Sequence, residues 1–304
     1  MLTLDWNRPD IALSEIFQSE SSYKLEVDKA MFEKALLKNN REEFIEIFLD
    51  QGFMVHRFLN HIKMFLLFEK CQDRDFFLTV CMEKGLGEKL TQDEFDKMRS
   101  QPPEFFQKYI NPIVKKLTDI DEFFSVLEMS LNALKLYIET DECVAERKAI
   151  VYLIVFAVLL KRHKLAKILW KRTDQPICVA LLCSMIYKRL SLMCHDITWT
   201  KSELDECSKD FAQCAIGVLD LSFTQCDVRV DDVLNVKNRD LNNLNVIELA
   251  YNSGNKEFLA HPCCQKWITK KFYGSIQIKE LHFGIIKLPT WMKILTSAFL
   301  IVPM

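Results

Sequence analysis

The sequence predicts an all-α protein: an irregular stack of antiparallel helix pairs, ankyrin-like or helical-repeat solenoid in character, followed by the start of a membrane helix. Three observations carry this. Gly 7 and Pro 8 in 304 residues fall well short of the usual share, about 12% for the two together, and leave too few turn residues for sandwiches or collagen-like repeats. Hydrophobic residues at 49% against 27% charged exclude a disordered polymer. Apolar residues also recur at i, i+3 and i+4 in several separate windows, the period of a helix that buries one stripe. The length suits about two domains and a core that needs no disulfides or metals.

In chain order, Leu25–Gly52 reads as a helical hairpin. Ala30, Met31, Ala35 and Leu36 form one face, Asn39-Asn40 interrupts it, and Asn40 with Glu43 has the spacing of a capping box. Phe44, Ile47 and Phe48 make the next stripe, with Glu42, Glu43, Glu46 and Asp50 toward water and Gly52 as the left-handed stop. Similar units run Ala149–Trp170 and Val246–Trp267, the latter turning at Asn252-Ser253-Gly254-Asn255. Their starts at residues 30, 149 and 246 share no fixed period, unlike ankyrin or tetratricopeptide arrays of about 33 or 34 residues. Gly85–Pro112 collects glycines, prolines and charges and is expected as a junction or long connection, and Cys194–Lys209 and Lys237–Asn245 as loops.

Composition also limits function. A formal net charge of −2 gives no global field for nucleic acid, and no nucleic-acid partner is expected. Eleven cysteines are an odd number without C-x-x-C spacing, a poor disulfide framework. With no N-x-S/T acceptor and no basic–apolar leader in MLTLDWNRPD, a reduced, cytosol-facing chain is expected.

Two apolar runs bear on membranes. Ala149–Leu160 is uncharged and flanked by Arg147-Lys148 and Lys161-Arg162, but at twelve residues it is shorter than the roughly 20 a span needs. It reads as a core helix continuing through Leu165, Ile168 and Leu169. Ile294–Met304 is uncharged up to the last residue, and lysines 266, 270, 271, 279, 287 and 293 precede it against the single acid Glu280. Basic flanks with an aromatic neighbour favour the cytoplasmic membrane face, which makes Lys287, Trp291 and Lys293 the candidate membrane-interface residues. A soluble C-terminal helix with a basic neighbourhood is the alternative.

The sequence carries few groups of catalytic or cofactor-binding type. Gly85-Leu86-Gly87 lacks the third glycine and the Lys-Ser/Thr of a phosphate loop. His261-Pro262-Cys263-Cys264 has no second ligand pair and reads as a cap and turn with buried thiols. Asp119, Asp121 and Glu122 lack the glycine and terminal glutamate of a calcium loop, so Asp121 reads as an N-cap ahead of Phe123-Phe124. Cys194-His195 comes with no oxyanion donor and reads as a loop feature. Phe65, Phe68, Phe76 and Phe77 lack interleaved basic residues and read as core. No enzyme, no cofactor and no metal is expected.

Specific strings go further. Leu4–Phe17 (LDWNRPDIALSEIF) and Met31–Gly52 (MFEKALLKNNREEFIEIFLDQG) resemble the cytosolic melastatin homology region of TRPM cation channels. Asp210–Phe223 (DFAQCAIGVLDLSF), Phe258–His261 (FLAH) and Phe272–Ile276 (FYGSI) follow in that family's order. Trp291–Met304 (WMKILTSAFLIVPM) resembles the entry into the first transmembrane helix of these channels. Pro9 departs from the family's N-R-x-D-I-A string, tolerably near a helix start. The resemblance implies residues 1–90 as an N-terminal helical-repeat part, 91–117 as a divergent connection, 118–273 as a second helical-repeat part, and 274–304 as a pre-membrane segment with a truncated first transmembrane helix. It further implies a poreless assembly and coupling fragment of a calcium-permeable channel. Its partners would be other subunits in a homo- or hetero-tetramer, with lipid at the C-terminal end. Residues 1–286 would be cytoplasmic at a membrane, the plasma membrane being expected. A soluble helical-repeat interaction module, or a truncated channel regulator, is the alternative.

Overall fold

A computed structural model describes residues 2–17, 27–125, 142–194, 198–225, 234–235, 244–273, 282–283 and 286–287. The architecture is all-α, and among the described residues the strands are confined to one antiparallel pair of two residues each. The chain divides into two compact units, Met1–Leu259 and Ala260–Met304.

The first unit opens with α1 (Leu2–Asp5) and α2 (Pro9–Ile11), which runs on in π-helical geometry over Ala12–Phe17. Then come α3 (Lys29–Leu37) and α4 (Glu42–Asp50), the expected hairpin. Phe44, Ile47 and Phe48 are buried as the stripe predicts. In α3 the buried set is Phe32, Ala35 and Leu36, while Ala30 faces water. The cap also differs. Asn40 adopts a left-handed φ of 56° and Arg41 takes the N-cap position. Arg41 swings back to donate from Nε to Leu4 O at 2.7 Å and from Nη2 to Asp5 O at 3.1 Å, so it closes the carbonyl end of α1.

A 3₁₀ turn at Val55–Arg57 leads to α5 (His61–Lys70) and then α6 (Arg74–Phe76), extended in π geometry over Phe77–Leu86. The stretch expected as a long connection is instead largely helical: α7 (Gln92–Met98), α8 (Pro102–Phe105) with a π turn at Phe106–Ile110, and α9 (Asn111–Thr118). Pro102 and Pro103 sit at the start of α8, where a missing N–H costs little, and Pro112 follows the π turn within the continuing helical run. Gly85 lies inside the α6 extension, and a Cβ there would meet Ile113 Cδ1 at 2.6 Å, so glycine permits the close approach of α9. Asp121 pairs with Lys115 at 2.7 Å rather than opening a helix, and Phe123 and Phe124 are buried in bends.

The long helices follow: α10 (Glu142–Leu159), α11 (His163–Trp170), α12 (Pro176–Met193) and α13 (Thr198–Gln225). The apolar run 149–160 is core, as its length implied. The helix does not continue through Leu165, however. Lys161 takes a left-handed φ of 60°, Lys161 N–H bonds Val158 O at 3.0 Å, and Arg162 N–H bonds Ala157 O at 2.8 Å. These two bonds make a Schellman stop with lysine in the usual glycine position. Most of the loop expected at Cys194–Lys209 is the first part of α13, whose buried residues Leu204, Phe211, Ala215 and Leu219 recur every four residues or so against α12. His195 lies outside the described residues.

α12 is the one helix among the described residues long and apolar enough to cross a membrane, and 72% of it is buried inside the fold. It packs on α13, α9 and α14 (Val246–Asn252), which marks it as the central core helix. Gly254, at a φ of 68°, turns the chain into α15 (Lys256–Ala260). Phenylalanines join the hairpins: Phe156 of α10 stands edge-on to Phe68 of α5 at 4.9 Å, and Phe68 in turn meets Phe77 and Phe105.

In the second unit, His261 Nδ1 accepts from the Cys263 N–H at 3.3 Å at the start of α16 (Pro262–Tyr273), the cap-and-turn role expected of it. Farther on, β1 (His282–Phe283) pairs with β2 (Ile286–Lys287). This pair was not foreseen. Two residues per strand give no sequence period to read.

The left-handed backbone at Asn40 gives a direct test. Asn40→Gly is expected to keep the stability of the chain, whereas Asn40→Val lowers it by about 1 kcal/mol or more, as urea denaturation would measure.

Candidate interaction scaffold

The ionic contacts of this fold lie at the seams between helix pairs. Arg162 is the most enclosed. The Schellman stop after α10 throws its side chain, 3% exposed, across to the end of α3. Nη1 donates to Leu36 O; Nη2 donates to Lys38 O at 3.1 Å and to Glu42 Oε1 at 3.2 Å. One guanidinium thus satisfies the carbonyl end of α3 and the first-turn carboxylate of α4 together.

A carboxylate does the reciprocal job nearby. Glu146 of α10 accepts from Val55 N–H at 2.9 Å, His56 N–H at 2.8 Å and His56 Nδ1 at 2.6 Å, so it holds the start of the 3₁₀ turn. The His56 side chain is 1% exposed. Buried Glu69 of α5 pairs with Arg99, which raises the Arg99 pKa through the hydrogen bond and the charge. Between α11 and α13, Asp210 accepts from Lys167 at 2.8 Å and meets His163 Nε2 at 2.7 Å. Burial pushes the Asp210 carboxyl up, but the hydrogen bonds from Lys167 and His163 outweigh it and leave the pKa below the ordinary carboxylate value. Lys171 with Glu46, and Arg172 with Asp50, tie α11 to α4.

The thiols lie within this packing. Burial raises the pKa of Cys81 and Cys183, and it pushes Cys207 up to about 11. The described cysteines are free, and no group of three or more His, Cys, Asp or Glu among the described residues is placed to hold a metal ion.

Of the candidate membrane-interface residues, Lys287 falls in β2, paired with His282, while Trp291 and Lys293 lie outside the described residues. The seam residues Arg162, Glu146 and His56 escaped the sequence reading. Arg162 figured only as a basic flank, and its one local signal is a charge one residue beyond the end of an apolar helix.

What this geometry defines is a helical-pair scaffold, clasped at helix ends by ionic contacts. A family model described as TRPM2-like domain matches residues 15–261. Among relatives, the protein ced-11 of Caenorhabditis elegans is 26% identical over 76% of this chain and 15% of its own length. A transient receptor potential cation channel subfamily M member-like 2 of Nematostella vectensis is 24% identical over 98% of this chain and 19% of its own. Subfamily M member 2 of Mus musculus is 24% identical over 94% and 20%. The chain belongs to the TRPM2-like domain family and is a TRPM melastatin-type region. It spans about a fifth or less of the length of these curated relatives.

Two measurements test the seams. Arg162→Met is expected to cost about 3 kcal/mol in urea denaturation by stranding the Leu36 and Lys38 carbonyls and the half-buried Glu42 carboxylate, and adding Glu42→Leu returns part of it. A loss under about 1 kcal/mol would contradict the burial. Asp210, with its pKa depressed in the folded chain, stabilises the fold above the ordinary carboxylate pKa of about 4, and that contribution is lost as pH falls through the lower folded value. Thermal midpoints of wild type and Asp210→Asn should therefore differ steadily above about pH 5 and converge below about pH 4.

Proposed function

We propose that this chain is the cytosolic assembly and coupling region of a TRPM-like, calcium-permeable cation channel, with no pore of its own. The family match over residues 15–261 carries the reading. The fold supplies its physical side: stacked helices tied at their ends move as a unit, so displacement at one pair reaches the next.

In this reading the partners are other channel subunits in a homo- or hetero-tetramer, and no catalysis is assigned to the region. The parts follow the boundaries 1–90, 91–117, 118–273 and 274–304. Residues 1–286 are cytoplasmic. Lys287, Trp291 and Lys293 meet lipid headgroups where Ile294–Met304 enters the bilayer, at the plasma membrane. A lysine-rich approach and an interfacial tryptophan support that placement.

The experiment is expression of the chain in cultured cells. It should stay with membranes on alkaline washing, and cross-linking should give adducts with itself or with a co-expressed TRPM subunit. It should carry no calcium current when expressed alone. Release into the alkaline supernatant defeats the lipid placement, absence of any subunit adduct defeats the assembly role, and a calcium current from the chain alone defeats the poreless reading.

A further inference from the structure

We propose that the cleft between the middle of α13 and the α14–α15 turn binds a small phosphate-bearing anion. The cleft has a volume of about 610 Å³, inside the range of roughly 300–1,000 Å³ common for small-ligand sites. Lys209 and Lys256 border it, both exposed, and neither has an ion-pair partner among the described residues.

The acids around the cleft are largely committed. Asp205 is held by Lys188 at 3.0 Å and Ser191 Oγ at 2.8 Å, and Asp210 by Lys167 and His163. Glu257 is the exception, a carboxylate in the lining that opposes an anion. The balance left over is two lysines against one glutamate.

A neutral donor adds to them. Asn255 also lines the cleft and is 8% exposed. Its Oδ1 accepts from the Phe258 N–H at 3.2 Å, yet its buried Nδ2 has no acceptor. A buried amide donor left without a partner is costly, and an anionic oxygen in the cleft is the kind of acceptor it lacks. Two separated ammonium groups suit a multiply charged phosphate better than a single carboxylate, since lysine binds phosphate as a point charge. This site stands independently of the channel role.

The test titrates the full chain with inorganic pyrophosphate by calorimetry. One saturable site is expected, about tenfold weaker in Lys209→Gln or Lys256→Gln, as for loss of one charge-assisted contact. Glu257→Gln should tighten it and added salt should weaken it. All three positions are exposed, and circular dichroism confirms that the variants fold. Vesicles of phosphatidylcholine with a phosphoinositide separate the sources. Recruitment that falls in both lysine variants assigns a lipid headgroup, and recruitment unchanged while pyrophosphate binding falls assigns a soluble anion. Absence of saturable pyrophosphate binding, or binding unaffected by both lysine substitutions, overturns the proposal.

Discussion

The arrangement of the helix pairs depends on one buried cation. Arg162 is removed from water at the end of α10, and its desolvation is tolerable only where acceptors are already waiting. Those acceptors are the spent end of α3 and the first turn of α4. The guanidinium therefore fixes how the N-terminal hairpin sits on the α10–α11 pair, because a shift of either would leave a buried charge and orphan carbonyls together. Hydrophobic packing alone tolerates sliding; a planar fork with assigned acceptors does not.

The same principle recurs with the charges reversed. Glu146 anchors the 3₁₀ turn through two backbone N–H groups and the His56 ring, and Asp210 gathers Lys167 and His163 from α11. Each contact sits where a helix or turn exposes unpaired backbone or where two pairs meet. Between them, phenylalanines from α5, α6, α8 and α10 fill the interior. The result is a stack whose members are coupled at their ends by directional contacts and along their faces by non-directional ones.

How much of this was legible varied with the physical signal. Gly52 and Gly254 announced their hairpin turns, because a left-handed stop is ordinarily glycine. Lys161 makes the same turn with a side chain that stays partly in water, so the break between α10 and α11 was invisible to periodicity. The proline- and glycine-bearing stretch after Gly85 read as a connection, although Pro102 and Pro103 open a helix and Gly85 serves a close helix approach. The candidate scaffold was the least legible part. Arg162 and Glu146 meet partners far away in the chain, at Leu36 and His56, and belong to no motif, so their roles come from burial and tertiary contacts. The membrane-interface residues Trp291 and Lys293 were, conversely, legible only as a local pattern.

By itself the sequence determined the all-α class, the core status of residues 149–160, the α4 stripe of the first hairpin and the family strings. Each of these depends on residues near one another in the chain, where period, length and turn chemistry act. Only the tertiary structure decided which ions are buried, which carboxylate meets which base, where α10 ends, and which lysines border a polar cleft. Those outcomes follow from desolvation and from partners brought together across tens of residues to more than a hundred, as Arg162 and Leu36 are, and no local pattern encodes them.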